Sequence, residues 1–269
     1  MNLQSIFTEL EKVDSEFFDR LDHVSRRGLF STLSRKTVAV AAPAIMASAL
    51  TKAYGQSSDL PQNVVDVLNF ALLLEHLESD FYEIGTNVPG LIPDQDKPAF
   101  EYIRRHEELH VKLLKMVLGS KAIQKPAFDF SAKGAFPDTF TNFQTFAAVS
   151  QAFEDTGVRA YKGQAPNLMN AKPILETALR IHATEATHAA RVRYLRGQKG
   201  WIPLASPSGL PQVAAGVYAG DDNVIQKGIN LADLLAGQVP LEGITEAFDE
   251  PLTKEQVTAI VMPFIETPN

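Results

Sequence analysis

Apolar residues recur at three- and four-residue spacing over four long stretches, residues 61–85, 95–118, 138–162 and 171–196, and this spacing predicts four helices. At about 1.5 Å per residue each would run about 37 Å, the length of a bundle helix. The ends carry the expected punctuation. Asp59 and Pro61 open the first, which stops at Gly85 before the turn Asn87-Val88-Pro89-Gly90; Gly119 and Gly163 close the second and third. Asn170 as cap, Pro173 in the first turn and Gly197 as stop frame the fourth.

Each apolar stripe is interrupted by an acid on the face that should be buried. In the second helix Phe100, Ile103, Leu114 and Val117 flank Glu107 and His110; in the fourth Ile174, Ala178, Ile181, Val192 and Leu195 flank Glu185 and His188. Val64, Leu68 and Ala71 lead to Glu75 and then Tyr82 in the first, and Phe143, Ala147 and Ser150 lead to Glu154 and then Tyr161 in the third. Burying an uncompensated carboxylate costs several kcal/mol. Two imidazoles cannot neutralise four carboxylates, whereas a pair of divalent cations can.

The spacing repeats between the halves of the chain. Glu75 stands seven residues before Tyr82 and Glu154 seven before Tyr161, while Glu107-x-x-His110 is matched by Glu185-x-x-His188. Members of each Glu-x-x-His pair lie on one helical face. An internal pseudo-twofold is the economical explanation.

Composition narrows the chemistry. The 269 residues include no cysteine, which removes disulfides, thiolate metal sites and cysteine nucleophiles and leaves His and carboxylates to hold any metal. A net charge of −7 without clustered Lys and Arg argues against a nucleic-acid partner.

One Glu from each of two helices, with Glu-x-x-His from each of the other two, resembles the ligand set of ferritin-like di-iron and di-manganese carboxylate bundles. The segment from Asn69 through Glu75-His76-Leu77-Glu78 to Tyr82 is similar to the bacterial and plant ferritin-like group linked with desiccation proteins, and Glu246-Ala247-Phe248-Asp249-Glu250-Pro251-Leu252-Thr253 is similar to bacterial members. The resemblance implies an all-α fold: a ferritin-like four-helix bundle with one long crossover, here residues 119–137, plus an irregular and helical C-terminal extension. It implies two Fe or Mn ions, one served by Glu75, Glu107 and His110, the other by Glu154, Glu185 and His188. The Glu of each Glu-x-x-His usually bridges in this family.

The neighbours of these residues are read more plainly. Glu78, Asp80 and Glu83 are expected in solvent, Glu108 outside its partner Glu107, and His76, His106 and His182 at the surface or as polar neighbours of the ligands. Tyr82 and Tyr161 are expected in the core or hydrogen-bonded to the ligands.

Residues 1–55 read as an export segment, 56–200 as the bundle and 201–269 as the extension. Ser25-Arg26-Arg27-Gly28-Leu29-Phe30 and Arg35-Lys36 precede fifteen uncharged residues, 37–51, too few for the roughly 20 of a spanning helix. Small-residue cleavage options follow at Ala47-Ser48-Ala49 and Ala53-Tyr54-Gly55. The paired arginines resemble a twin-arginine signal, which implies a periplasmic or otherwise exported protein with no membrane span when mature. The other reading is a solvated arginine pair before a buried Ala-rich helix, and residues 1–24, with apolar positions at helical spacing, keep it open.

In the extension Thr253 is expected to cap a closing helix near 254–263, and Asp221-Asp222 lacks the loop pattern of a calcium site. The extension seals the bundle or forms a contact in a homo-oligomer. The leading functional expectation is a stress-protective oxidoreductase, of ferroxidase, peroxidase or catalase-like type, whose partners are metal ions with oxygen or peroxide. The competing expectation is a non-enzymatic, stress-associated metal-binding protein, since fold does not choose between them.

Overall fold

The structure is a computed structural model that describes residues 60–206 and 209–266. Four long helices carry it: α1 (Gln62–Asn87), α2 (Lys97–Leu118), α3 (Phe143–Gln164) and α4 (Lys172–Leu195). Helix α1 packs chiefly along α2, and α3 along α4, so two hairpins face each other across one core. The connection from α2 to α3 is the long crossover of an all-α four-helix bundle. No described helix is long and apolar enough to cross a membrane. The arginine pair and the expected export segment lie outside the described residues.

The helix ends correct several readings from the sequence. Helix α3 begins five residues later than its periodicity predicts, because Asn142 is extended and its side chain accepts from the Gln144 amide at 2.9 Å, while 138–142 close a turn on the Asp138 carbonyl. Helix α4 starts from Ala171 with no side-chain cap, so Asn170 does not cap it. Gly85 and Gly163 are not stops. A Cβ on Gly85 would stand 2.1 Å from the Phe146 ring, and one on Gly163 would stand 1.9 Å from the Leu252 carbonyl oxygen. Both glycines lie inside helices and permit close approach.

One end of the core is aromatic. Phe81 stacks on Phe146 with centroids 4.8 Å apart, and Phe153 and Phe264 meet edge to face at the same separation. Phe264 arrives from the C-terminal extension, whose closing helix α7 (Lys254–Val261) starts from a Thr253–Gln256 capping box. Before it come a 3-10 turn (Gln212–Tyr218), a two-stranded hairpin of β1 (Ile225–Gln226) and β2 (Ile229–Asn230), and short helices α5 (Leu231–Leu234) and α6 (Leu241–Thr245). The chain end pairs with the crossover: Asp129 donates its amide to Phe264 O at 2.8 Å, and Glu266 to Ala127 O at 3.0 Å.

Arg159 of α3 pins the extension to the bundle. Fully buried, it donates Nε to Glu250 O at 2.7 Å, Nη2 to Ala219 O at 2.6 Å and Nη1 to Val217 O, and stands 3.3 Å from Asp221. Asp221 also accepts the Glu250 amide at 2.9 Å. A buried guanidinium is tolerable only with its donors and charge matched in this way.

Candidate metal centre

Each long helix turns one acid to the bundle axis: Glu75 from α1, Glu107 from α2, Glu154 from α3 and Glu185 from α4, all at zero exposure. His110 and His188 follow Glu107 and Glu185 by three residues and so stand on the same faces. Two overlapping groups result, Glu75, Glu107, His110 and Glu185 in one, Glu107, Glu154, Glu185 and His188 in the other, each with ligand atoms within 4.8 Å of one another. Glu107 and Glu185 belong to both groups.

The donors present are too few for the acceptors. His110 Nδ1 stands 3.1 Å from Glu107 Oε2 and 3.2 Å from both Glu75 Oε2 and Glu185 Oε1. His188 Nδ1 stands 2.9 Å from Glu107 Oε1 and 3.2 Å from Glu154 Oε2. One ring nitrogen cannot serve two or three carboxylates, and Glu107 Oε1 and both oxygens of Glu185 are left without a properly directed hydrogen bond.

The outer polar contacts cross between the hairpins. Tyr161 of α3 donates its hydroxyl to Glu75 Oε1 on α1, and Tyr82 of α1 donates to Glu154 Oε1 on α3 and meets Ser150 Oγ. Each tyrosine thereby orients the terminal acid of the opposite half. His106 Nδ1 and His188 Nε2 share a hydrogen bond at 2.9 Å with their rings stacked, which fixes the second nitrogen of His188 and leaves Nδ1 toward the acids.

Electrostatics express the crowding. Burial pushes the Glu75 carboxyl up to about 7, partly offset by His110. Burial and the surrounding acids push Glu185 well up, and burial raises Glu154. For Glu107 the two imidazoles overcome burial and hold the carboxyl below the ordinary range. Burial pulls the imidazoles down, but the acids win: His110 is raised well above its ordinary value and His188 to about 11. Without a cation, the site retains protons that a metal would displace.

A profile of the ferritin-like domain matches residues 63–198. The chain belongs to this family. No curated protein matched it. The ferritin-like domain's donors fit a metal: hard carboxylate oxygens, two imidazole nitrogens and three orphaned buried oxygens that a cation satisfies and the available N–H groups do not.

Some side chains depart from their sequence-based expectation. Glu78 is buried at 3% exposure, not solvated, one turn beyond Glu75. His76 is buried as well, whereas Glu83 is exposed, and Glu108 faces outward to Lys112. His182 bonds the Val158 carbonyl at 3.0 Å, away from the acids. Beside Glu154 the sequence reading also missed a buried ion pair of Asp155 with Arg193, joined by the Tyr218 hydroxyl at 2.8 Å. Along the chain Asp155 and Arg159, four residues apart among Gln151 and Lys162, look the same as a solvated pair.

Proposed function

We propose that this ferritin-like protein holds two Fe or Mn ions and is an oxidoreductase acting on oxygen or peroxide. The observation that carries the reading is the sharing of Glu107 and Glu185 between two complete ligand groups, each with its own terminal acid and imidazole. Glu75 and His110 would hold one ion, Glu154 and His188 the other. Bound there, a redox-active pair supplies two electrons, one per ion, which with two protons convert dioxygen to peroxide or peroxide to water.

The chain's own groups support that chemistry. Four carboxylates cancel the charge of two divalent ions, so a gain of charge on oxidation is met in a site already rich in anionic oxygen. Tyr82 and Tyr161 hold the terminal acids in place through their hydroxyl protons, and the His106–His188 contact orients one imidazole. All four acids are at zero exposure, so the packed core keeps bulk water from them.

Anaerobic Fe²⁺-loaded protein exposed to oxygen or peroxide should develop ferric absorption faster than free Fe²⁺ in the same buffer, or the Mn-loaded form should dismutate peroxide. Glu154→Ala should abolish the signal. Two ions bound without either reaction would instead support metal binding or sequestration without turnover. For location we infer export by the twin-arginine route from Arg26-Arg27 and residues 37–51. Arg26→Lys with Arg27→Lys should trap folded protein in the cytoplasm; normal recovery outside it would refute this.

A further inference from the structure

The pseudo-twofold that relates the two hairpins does not hold three residues beyond the terminal acids. Glu75 corresponds to Glu154 and Tyr82 to Tyr161, so the residue three beyond each terminal acid should also match. In α1 that residue is Glu78, and in α3 it is Gly157. The glycine needs no positive φ and terminates nothing, since α3 continues to Gln164. Its missing side chain is filled from across the core: the point where a Cβ would sit lies 3.1 Å from Glu185 Oε2 and 3.3 Å from Glu78 Oε1. One half contributes a carboxylate and the other vacates the space for it.

Glu78 has no compensating partner there. It is buried at 3% exposure, and among the described residues no group donates a hydrogen bond to it. Burial raises its carboxyl well above the ordinary range, and the largest charge effects on it, from Glu185, Glu154, Glu107 and Glu75, push the same way. A carboxylate in that setting is costly unless a cation joins it. It comes from the first hairpin, yet it shares the space over Gly157 with Glu185 of the second.

Resting on the reading of the centre as a metal pair, we propose that Glu78 is a fifth carboxylate of that centre, serving the ion held by Glu107, Glu154, Glu185 and His188, and that Gly157 is its clearance. Glu78 lies outside both four-residue groups, so its side chain would have to rotate to serve that ion. The two ions are therefore inequivalent, with the additional anionic oxygen on one side only. Five carboxylates against two divalent ions leave one negative charge in excess, which favours a pair carrying more than four positive charges.

The test is calorimetric titration of the metal-free full chain with Mn²⁺, alongside elemental analysis, for the wild type, Glu78→Gln and Gly157→Ala. The wild type should bind two ions in separable steps. Glu78→Gln should weaken one step by about 10-fold or more and leave the other within about two-fold, as expected for loss of one ligand from one ion. Gly157→Ala changes no ligand and favours the helix, yet its methyl group would crowd Glu78 and Glu185; because Glu185 stands in both groups, the substitution should weaken both steps, and most of all the one that Glu78→Gln weakens. Two ions bound with affinities unchanged in Glu78→Gln would overturn the assignment of Glu78 while leaving the metal centre standing. A wild type that takes up no ion would overturn the centre itself, and the assignment with it.

Discussion

Gly163→Ala sets two physical effects of opposite sign against each other. In an exposed helix interior, alanine in place of glycine stabilises by about 0.5–1 kcal/mol through lower backbone entropy and better propensity. Here the new methyl carbon would lie 1.9 Å from Leu252 O and 3.0 Å from Leu252 C. These are backbone atoms, so no rotamer change relieves the contact, and the extension must move off α3. That movement breaks the Leu252 amide bond to Arg159 O, 3.1 Å long, and strains the Arg159 Nε bond to Glu250 O and the Lys162 bond to Asp249 O. A lost backbone hydrogen bond costs about 1 kcal/mol. Partial exposure of the Leu252 side chain, now at 1%, costs about 2 kcal/mol more. After the propensity gain, net destabilisation of about 2 kcal/mol remains, or about 4–8 °C in Tm for a domain of this size. Scanning calorimetry of the metal-free proteins measures it, and limited proteolysis should cut the extension faster in the variant. A Tm equal to or above wild type would show that propensity dominates and that α3 and the extension do not meet at this separation.

Two further perturbations address the centre. Glu107→Ala should weaken binding of both metal ions, since Glu107 stands in both ligand groups, whereas His188→Ala should weaken one; stoichiometry by elemental analysis after dialysis checks this, and retention of two ions in Glu107→Ala would refute the bridge. The metal-free protein should lose stability as pH rises. Glu75, raised to about 7, contributes stability that is complete below its ordinary 4.5 and lost as pH passes 7, about 3 kcal/mol in all, and His188, raised to about 11, adds loss between 6.5 and 11. Metal-loaded protein should run the other way over the lower part of this range, because ions compete with protons for the same atoms. Urea unfolding at pH 5, 7 and 9 with and without Mn²⁺ reads both slopes, and a metal-free protein more stable at pH 9 than at pH 5 would contradict the assignment.

The four helices and the six convergent side chains were legible in the sequence for a simple reason. A helix places residues three and four apart on one face, so an acid or an imidazole interrupting an apolar stripe is aimed inward wherever the stripe itself is buried. Glu107 with His110 and Glu185 with His188 need no tertiary information beyond that, and the repeat of Glu75–Tyr82 in Glu154–Tyr161 discloses the symmetry. Periodicity failed where a helix is buried on more than one side. Most of α1 from Val64 to Tyr82 and nearly all of α3 from Phe146 to Tyr161 are enclosed, α3 by the C-terminal extension as well, so no polar face remains to orient them. In such a helix Glu78 reads as solvated although it is internal, and Asp155 and Arg159 carry no sign that their partners arrive from α4 and from beyond residue 200. Glycines are ambiguous in the same way. Gly85, Gly157 and Gly163 resemble helix breakers or neutral positions along the chain, and only the approach of Phe146, Glu78 and Leu252 from distant segments explains them. The inward direction of each acid and imidazole is a local property of helix geometry; the space at Gly157, the sharing of Glu107 and Glu185 between two groups and the partners of the other buried charges depend on which surfaces meet, and a linear pattern does not record that.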